Sequence, residues 1–245
     1  HRLTARKVLF AVVSHSSEVE WDMTMSLHAT ARALADKGWG SSIICAKGMA
    51  DLPRARNSLL ASFKHAADVH GFTDMLCIDA DVSWRPGDAQ QLLSHQADLV
   101  FGCYPLKGDG AGYALRGLPN SPDTIKCVDP VTGEETRGGL VEVEGGPAGF
   151  MRITKRCLDR MLKIYGDRWY KEEHAPDGKA WQLFEFSYSQ EEHLICSEDI
   201  EFCRKYRAAG GKVWVDPWLM LEHHGKKTWR GCIGMDGVGP RAPSV

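Results

Sequence analysis

The sequence predicts an α/β fold: a central, mostly parallel twisted sheet flanked by helices. Three observations carry the prediction. Short apolar runs bounded by polar residues recur through roughly the first hundred positions, as buried strands do. Longer segments with one apolar helical face lie between them. One apolar run, Met75 to Ile78, drives into two carboxylates one residue apart, Asp79 and Asp81. In an open α/β sheet the carboxyl end of a strand is where ligands sit.

Each element follows in order. Residues 7–14 (KVLFAVVS) read as a buried first strand, with Ser14-His15-Ser16-Ser17 as the loop leaving it. Residues 22–37 form a helix whose apolar stripe is Met25, Leu27, Ala31, Leu34 and Ala35 and whose stop is Gly38. Residues 41–46 are the second strand. Residues 53–69 are a second helix opened by Pro53. After the carboxylate turn come a helix over 87–94 and a buried strand over 98–103, which Tyr104-Pro105-Leu106-Lys107 leaves as a loop. Residues 108–139 are rich in Gly, Pro and Asp, with a short strand expected at 113–116. Residues 140–144 alternate as a half-buried strand. A run of small residues follows at 145–149, then a helix over 155–164 capped by Thr154. Residues 165–195 read as an irregular aromatic loop with a short strand near 182–186, a region suited to stacking on sugar faces or to pinning itself. Ser197 is placed as the N-cap of a helix ended by Gly210-Gly211, a strand follows at 212–215, and the last run enters Glu222-His223-His224-Gly225.

The chain of 245 residues has the mixed composition of a globular domain. A net charge of −2 without a basic block argues against gripping nucleic acid. Eight cysteines without a Cys-x-x-Cys pair read as free thiols in a reducing, cytoplasmic compartment. No apolar run approaches the roughly 18 residues of a membrane span. His1 and the Gly237-to-Pro243 stretch suggest one domain of a longer protein.

Several residues are of a type that does chemistry. Residues two apart in extended backbone point the same way, so Asp79 and Asp81 can face one cation; the plainer reading is a polar strand end with Asp81 as a cap. Hard oxygen ligands suit Mg²⁺ or Mn²⁺ shared with phosphates. Arg54, Arg56 and Asn57 lie in a helical first turn, where arginine opposes the helix dipole. A guanidinium there is solvated, chelates a phosphate, or holds a carboxylate such as Asp79. Ser14 and His15 stand after the first strand, either touching a nucleoside or forming a plain connection. Gly146, Pro147 and Ala148 let a ligand approach the backbone closely.

Arg54-Ala55-Arg56-Asn57, Asp79-Ala80-Asp81, the Gly145-to-Met151 segment, Ser197-Glu198-Asp199 and Leu221-Glu222-His223-His224-Gly225 occur in that order. With this order the sequence resembles the GT-A class of nucleotide-sugar-dependent glycosyltransferases over about residues 7–225. The size is like bacterial or large-virus members; the Arg-Ala-Arg-Asn element is similar to fungal Golgi mannosyltransferase subunits. The resemblance implies a GT-A fold with a Rossmann-like first half. It implies a single domain over 1–235, with a nucleotide-binding half (1–103), an acceptor-binding half (104–235) and a linker-like tail (236–245). It further implies a transferase of polysaccharide biosynthesis, with a nucleotide-diphosphate sugar, foremost a UDP-sugar, as donor and a glycan or other hydroxyl as acceptor. In that scheme Asp81 and His223 bind Mn²⁺ or Mg²⁺, with Asp79 ligating through water or holding the ribose. Histidine favours Mn²⁺. His224 is the second choice of histidine. Ser14, His15, Arg54, Arg56, Asn57, Asp79, Ala80, Gly146, Pro147 and Ala148 hold the donor. Asp199 is the general base of an inverting transfer, slightly favoured over retention, and Glu198 holds a sugar hydroxyl; ordinary helix capping is the alternative for both.

Three other readings compete. A sugar nucleotidyltransferase carries a glycine-rich, lysine-containing segment after the first strand, where this chain has Ser14-His15-Ser16-Ser17. A non-catalytic glycan-binding domain has no need of Asp81 and Asp199. A structural zinc site from His193, Cys196, Cys203 and His223 matches no closed zinc spacing.

Overall fold

The chain begins as β1 (Lys7–Ser14), α1 (Trp21–Asp36), β2 (Gly40–Lys47), α2 (Leu52–His70) and β3 (Asp74–Asp79). β1 lies between β2 and β3 and runs parallel to both, which gives the Rossmann-like first half that was expected. The computed structural model describes residues 6–16, 18–110, 112–118, 126–190 and 193–236; Ser17 and the expected tail beyond 236 lie outside them. Met23, Leu27, Thr30 and Leu34 are the buried face of α1, three and four residues apart. α2 is capped by the Asp51 carboxylate on the Arg54 amide and stops at Gly71, whose φ of 73° is left-handed.

The remaining elements are β4 (Val82–Trp84), α3 (Asp88–Ser94), β5 (Leu99–Gly102), β6 (Val141–Val143), β7 (Phe150–Thr154), α4 (Lys155–Tyr165), β8 (Trp169–Lys171), β9 (Lys179–Trp181), β10 (Ser187–Ser189), β11 (Leu194–Cys196), α5 (Glu198–Ala208), β12 (Val213–Asp216), β13 (Leu221–His224), β14 (Thr228–Gly231) and α6 (Ile233–Asp236). The central sheet is ordered β2-β1-β3-β7-β5-β12-β6. Only β7 and β6 oppose the common direction, so the sheet is mostly parallel. Strand side chains alternate between two cores. Leu9, Ala11, Met75 and Cys77 pack with α2, α4 and α5 on one face. Val8, Phe10, Leu76 and Ile78 pack with α1 and α3 on the other. A small sheet, β14-β13-β4, stands beside the end of β3.

Four local expectations are corrected. Residues 113–116 make isolated bridges to Pro105 and Gly145 and form no strand, since the two ends of the segment pair with different partners. Residues 182–186 are irregular; the short strands of that region flank them, as Asn57 occupies the amides of Leu183 and Phe184. Phe150 and Met151 belong to β7 rather than to the small-residue loop, paired with β3 and β5. Residue 236, placed in the tail, ends the α6 turn. Ser197 does sit at the N-cap, but its hydroxyl donates to Asp199 Oδ1 at 2.5 Å rather than capping the helix.

Asp74 ties the start of β3 to its neighbours. It accepts from Arg6 Nη2 at 2.8 Å, Arg152 Nε at 2.7 Å and the Thr73 hydroxyl at 2.7 Å. Burial pushes its carboxyl up, but the two arginines outweigh this and hold it below the usual aspartate range. Its stability contribution is therefore present above the ordinary aspartate pKa and lost as pH falls through the lowered value. Asp74→Asn leaves Arg152 buried and unpaired and is expected to cost about 3–5 kcal/mol. Denaturant melts near neutrality check this, and the gap between the two proteins narrows in acid.

Candidate active site

The side chains singled out at the ends of β3, α2, α5 and β13 largely converge. β3 ends with Asp79, and β13 pairs antiparallel with β4 so that His223 lies opposite Val82. The His224 amide donates to the Asp81 carbonyl at 2.8 Å, locking β13 to the carboxylate turn. His223 Nε2 then stands 3.6 Å from Asp81 Oδ2. Ala80 is fixed by its backbone: its amide donates to Val13 O, and its carbonyl accepts from Glu20 N, each at 2.9 Å.

Asp79 spends both oxygens on protein. Oδ1 takes Arg56 Nη2 at 2.9 Å and Oδ2 takes the Tyr104 hydroxyl at 3.1 Å. Burial, with Asp79 beside it, pushes the Tyr104 phenol well up, so it remains a donor. Asp81 is the freer acid, meeting Lys107 Nζ at 2.5 Å. Burial raises its carboxyl, but His223 and Lys107 outweigh that and bring it down to about 2. A direct metal ligand is thus better supplied by Asp81 than by Asp79.

His223 Nδ1 donates to the Pro105 carbonyl at 2.9 Å. That leaves Nε2, turned to Asp81, as the ring nitrogen able to take a metal. A backbone acceptor on the far ring nitrogen is the usual support of a metal-binding histidine. Ligands about 2.1 Å from an ion and at right angles lie about 3 Å apart, so a small closure of the 3.6 Å gap accommodates Mn²⁺ or Mg²⁺. The charge balance agrees: among the described residues, Asp79, Asp81, Glu198 and Asp199 face Arg56 and Lys107 as permanent cations.

Arg56 is almost wholly buried, with Nη1 3.3 Å from Glu198 Oε1. That atom is in pairing range but lacks hydrogen-bond geometry, leaving a buried donor unspent. Burial opposes its charge, but Asp79, Glu198 and Asp199 outweigh burial and raise its pKa. Burial, reinforced by Asp199 and Asp79 and opposed by Arg56, pushes the Glu198 carboxyl up. Asp199 Oδ1 accepts from Ser197 Oγ and from the Ile200 amide, which fixes the carboxylate at the start of α5.

Other expected donor-binding residues are committed to the scaffold. Arg54 pairs with Glu172 at 2.7 Å. Asn57 holds the backbone of Leu183 and Phe184 with both ends of its amide. Successive residues of α2 thus point in different directions: Arg56 to the carboxylates, Arg54 and Asn57 to the segment before β10. Ser14 donates to the Glu18 carbonyl at 2.5 Å, while His15 is exposed. Ala148 is buried in the core, together with its neighbour Pro147. Gly146 makes room for Phe101, where a Cβ would come within 2.2 Å of the ring.

Gly149 is the glycine that faces the site. A Cβ there would lie 2.3 Å from both Asp79 Oδ2 and Tyr104 Oη. Gly149→Ala is expected to cost about 1–3 kcal/mol and, by displacing Asp79, about a hundredfold in turnover, read from a melt and a steady-state assay on the same protein. Tyr104 and Lys107 were passed over as loop residues. Their place just beyond a buried strand was the available signal.

A second group, Asp22, Glu222 and His224, brings ligand-type atoms within 4.8 Å of one another. Alternation along β13 puts it on the opposite face from His223. Both His224 nitrogens are taken, by Ser83 Oγ and Thr228 Oγ1. The four residues weighed for zinc form no ligand cluster among the described residues. All eight cysteines are free thiols, and no described helix is long and apolar enough to cross a membrane.

No family model matches the chain, and no curated protein compared with it does either. Solved structures do. A197 from STIV aligns with a TM-score of 0.51 at 14% identity, over 90% of this chain and 86% of that one. The catalytic domain of Drosophila β1,4-galactosyltransferase 7, complexed with xylobiose, aligns at 0.42 and 12%, over 97% and 76%. Apo UDP-glucose pyrophosphorylase aligns at 0.38 and 10%, over 93% and 76%. At these identities the likeness concerns the fold.

Proposed function

We propose that this chain is a metal-dependent GT-A glycosyltransferase that moves a sugar from a nucleotide-diphosphate sugar, foremost a UDP-sugar, to a hydroxyl of a glycan or other acceptor. The observation that carries the reading is the meeting of Asp81 and His223 beside the Arg56–Asp79 pair and the Glu198–Asp199 helix start. The domain scheme that goes with it is one catalytic unit over 1–235, its first half holding the nucleotide and its second the acceptor.

A divalent cation on Asp81 and His223, with Mn²⁺ preferred, would neutralise charge on the two donor phosphates and on the departing nucleoside diphosphate. Asp79, clamped by Arg56 and Tyr104, orients the ribose side of the donor. The unspent Arg56 Nη1 supplies a donor hydrogen bond inside a water-poor site, where it is worth most. Asp199 takes the proton of the acceptor hydroxyl as its oxygen bonds to the anomeric carbon. The bond from that carbon to the diphosphate oxygen breaks, and the electron pair leaves with the nucleotide. This is an inverting displacement. Glu198, whose carboxyl burial pushes up against the pull of Arg56, hydrogen-bonds a sugar hydroxyl.

Nucleotide release from UDP-, GDP- and dTDP-sugars, with Mn²⁺, Mg²⁺ or chelator, tests this. Release of nucleoside diphosphate that needs metal supports it. Release of pyrophosphate from a nucleoside triphosphate and a sugar phosphate would instead identify a nucleotidyltransferase. No release from any donor, together with no rise in melting temperature on adding UDP and Mn²⁺, would overturn it.

A further inference from the structure

Lys107 is the charged group of the site that the proposed chemistry does not use. It ends the loop that leaves β5, and that loop is pinned across the whole cluster. Tyr104 donates to Asp79, Pro105 O receives His223 Nδ1, and the Leu106 amide donates to Gly112 O at 2.9 Å. The rings of Tyr104 and His223 meet at 4.8 Å. The aliphatic stem of Lys107 then runs over Gly225: a Cβ there would lie 3.4 Å from Lys107 Cδ and 3.6 Å from Cε. The stem thus lies within van der Waals reach of residue 225. The ammonium is thereby delivered to Asp81 Oδ2, the oxygen that also faces His223.

We propose that Lys107 is the resident cation of this site: it neutralises Asp81 until a divalent cation takes that carboxylate, and it then turns to the donor's diphosphate. The inference rests on the glycosyltransferase reading above. Two features of the arrangement support the exchange. Lys107 and Asp81 are each about one-third exposed, at 37% and 36%, so the pair is loose enough to open. A lysine ammonium is a compact charge on a flexible stem, suited to following a phosphate over a few ångströms. Arg56, buried and fixed between Asp79 and Glu198, has no such freedom. Lys107 is thus a catalytic residue for leaving-group departure and, before that, a competitor of the metal.

The test compares the wild type with Lys107→Met, Lys107→Arg and Asp81→Asn, using Mn²⁺ alone and inorganic pyrophosphate in chelator as probes. Binding of each is measured by calorimetry. Methionine keeps the stem over Gly225 without the charge, and an unchanged melting temperature confirms the fold. Lys107→Met is expected to bind Mn²⁺ about two- to fivefold more tightly, because a competing surface ion pair is gone. It is expected to bind pyrophosphate about tenfold more weakly, because a charge-assisted hydrogen bond is lost, with Lys107→Arg restoring most of that binding. Unchanged Mn²⁺ affinity or unchanged pyrophosphate affinity in Lys107→Met, with Asp81→Asn abolishing Mn²⁺ binding, overturns the role of Lys107 and leaves the metal site standing. Mn²⁺ binding that survives in Asp81→Asn overturns both.

Discussion

Asp81→Asn is expected to lower metal-dependent cleavage of the donor by about 10²- to 10³-fold, the usual loss when one preorganised electrostatic contact to a developing charge is removed. The fold should tolerate the change. Asp81 is partly exposed and its pairs with Lys107 and His223 are near the surface, so their loss is worth no more than about 1 kcal/mol. Asparagine keeps the shape and one acceptor oxygen but removes the charge that attracts both the ion and the Lys107 ammonium. The expected signature is therefore a melting temperature close to that of the wild type, no measurable Mn²⁺ binding, and turnover that no longer responds to chelator. Burial is outweighed and the carboxyl is brought down to about 2, so Asp81 in the wild type keeps its charge through the ordinary carboxylate range and above. Any acid limb in turnover then belongs to another group. A variant that kept most of its turnover with its metal response intact would remove Asp81 from the site.

Arg56→Leu is expected to damage stability and activity together. Arg56 is sandwiched between Asp79 and Glu198, and its guanidinium lies 5.8 Å over the Phe184 ring, which itself stacks on Phe202 at 4.2 Å. Breaking a buried pair by removing one partner costs about 3–5 kcal/mol, because the other charges stay behind without compensation. For a chain of this length that corresponds to a fall of roughly 6–20 °C in melting temperature. The pH dependence has a definite sign. The Glu198 carboxyl is already raised in the folded protein, so its contribution is fully present below the ordinary glutamate value and is lost as pH rises through the raised one. Loss of Arg56 removes the largest opposing influence and raises Glu198 further. The deficit of the variant is thus smallest in acid and grows as pH increases, read from melts at several pH values. Arg56→Lys restores a charge without the planar fork and should recover stability more fully than turnover. A deficit that shrank towards alkaline pH would contradict the placement of Glu198 beside Arg56.

The first half of the fold was legible because its signals are local. Residues 7–14, 41–46 and 75–78 are apolar runs of strand length, and the intervening helices carry their own apolar face and a glycine stop, α2 with the Asp51 cap as well. Burial on both faces of a parallel sheet leaves just such a pattern. The second half was legible only in part. β4, β13 and β14 are three or four residues each, too short for periodicity to register, and they exist because each supplies the ladder for the others. The strand over Phe150–Thr154 was half hidden by the glycines before it, and its pairing partners lie some 50 to 80 residues away in the chain.

The sequence by itself determined the α/β class, the Asp79–Asp81 turn at the end of a buried strand, and the residue types able to hold a cation and a diphosphate. All of these follow from patterns within about ten residues, where backbone geometry and side-chain alternation decide the outcome. Only the tertiary structure decided which of those residues meet. It separated Arg56 from Arg54 and Asn57, since one helix points adjacent side chains in different directions. It put His223 rather than His224 beside Asp81, since β13 alternates between two faces. It brought Tyr104 and Lys107 onto the two acids, and it made Gly149 the glycine that leaves Asp79 its room. Those choices depend on close approach between segments 20 to 140 residues apart, which no local pattern encodes.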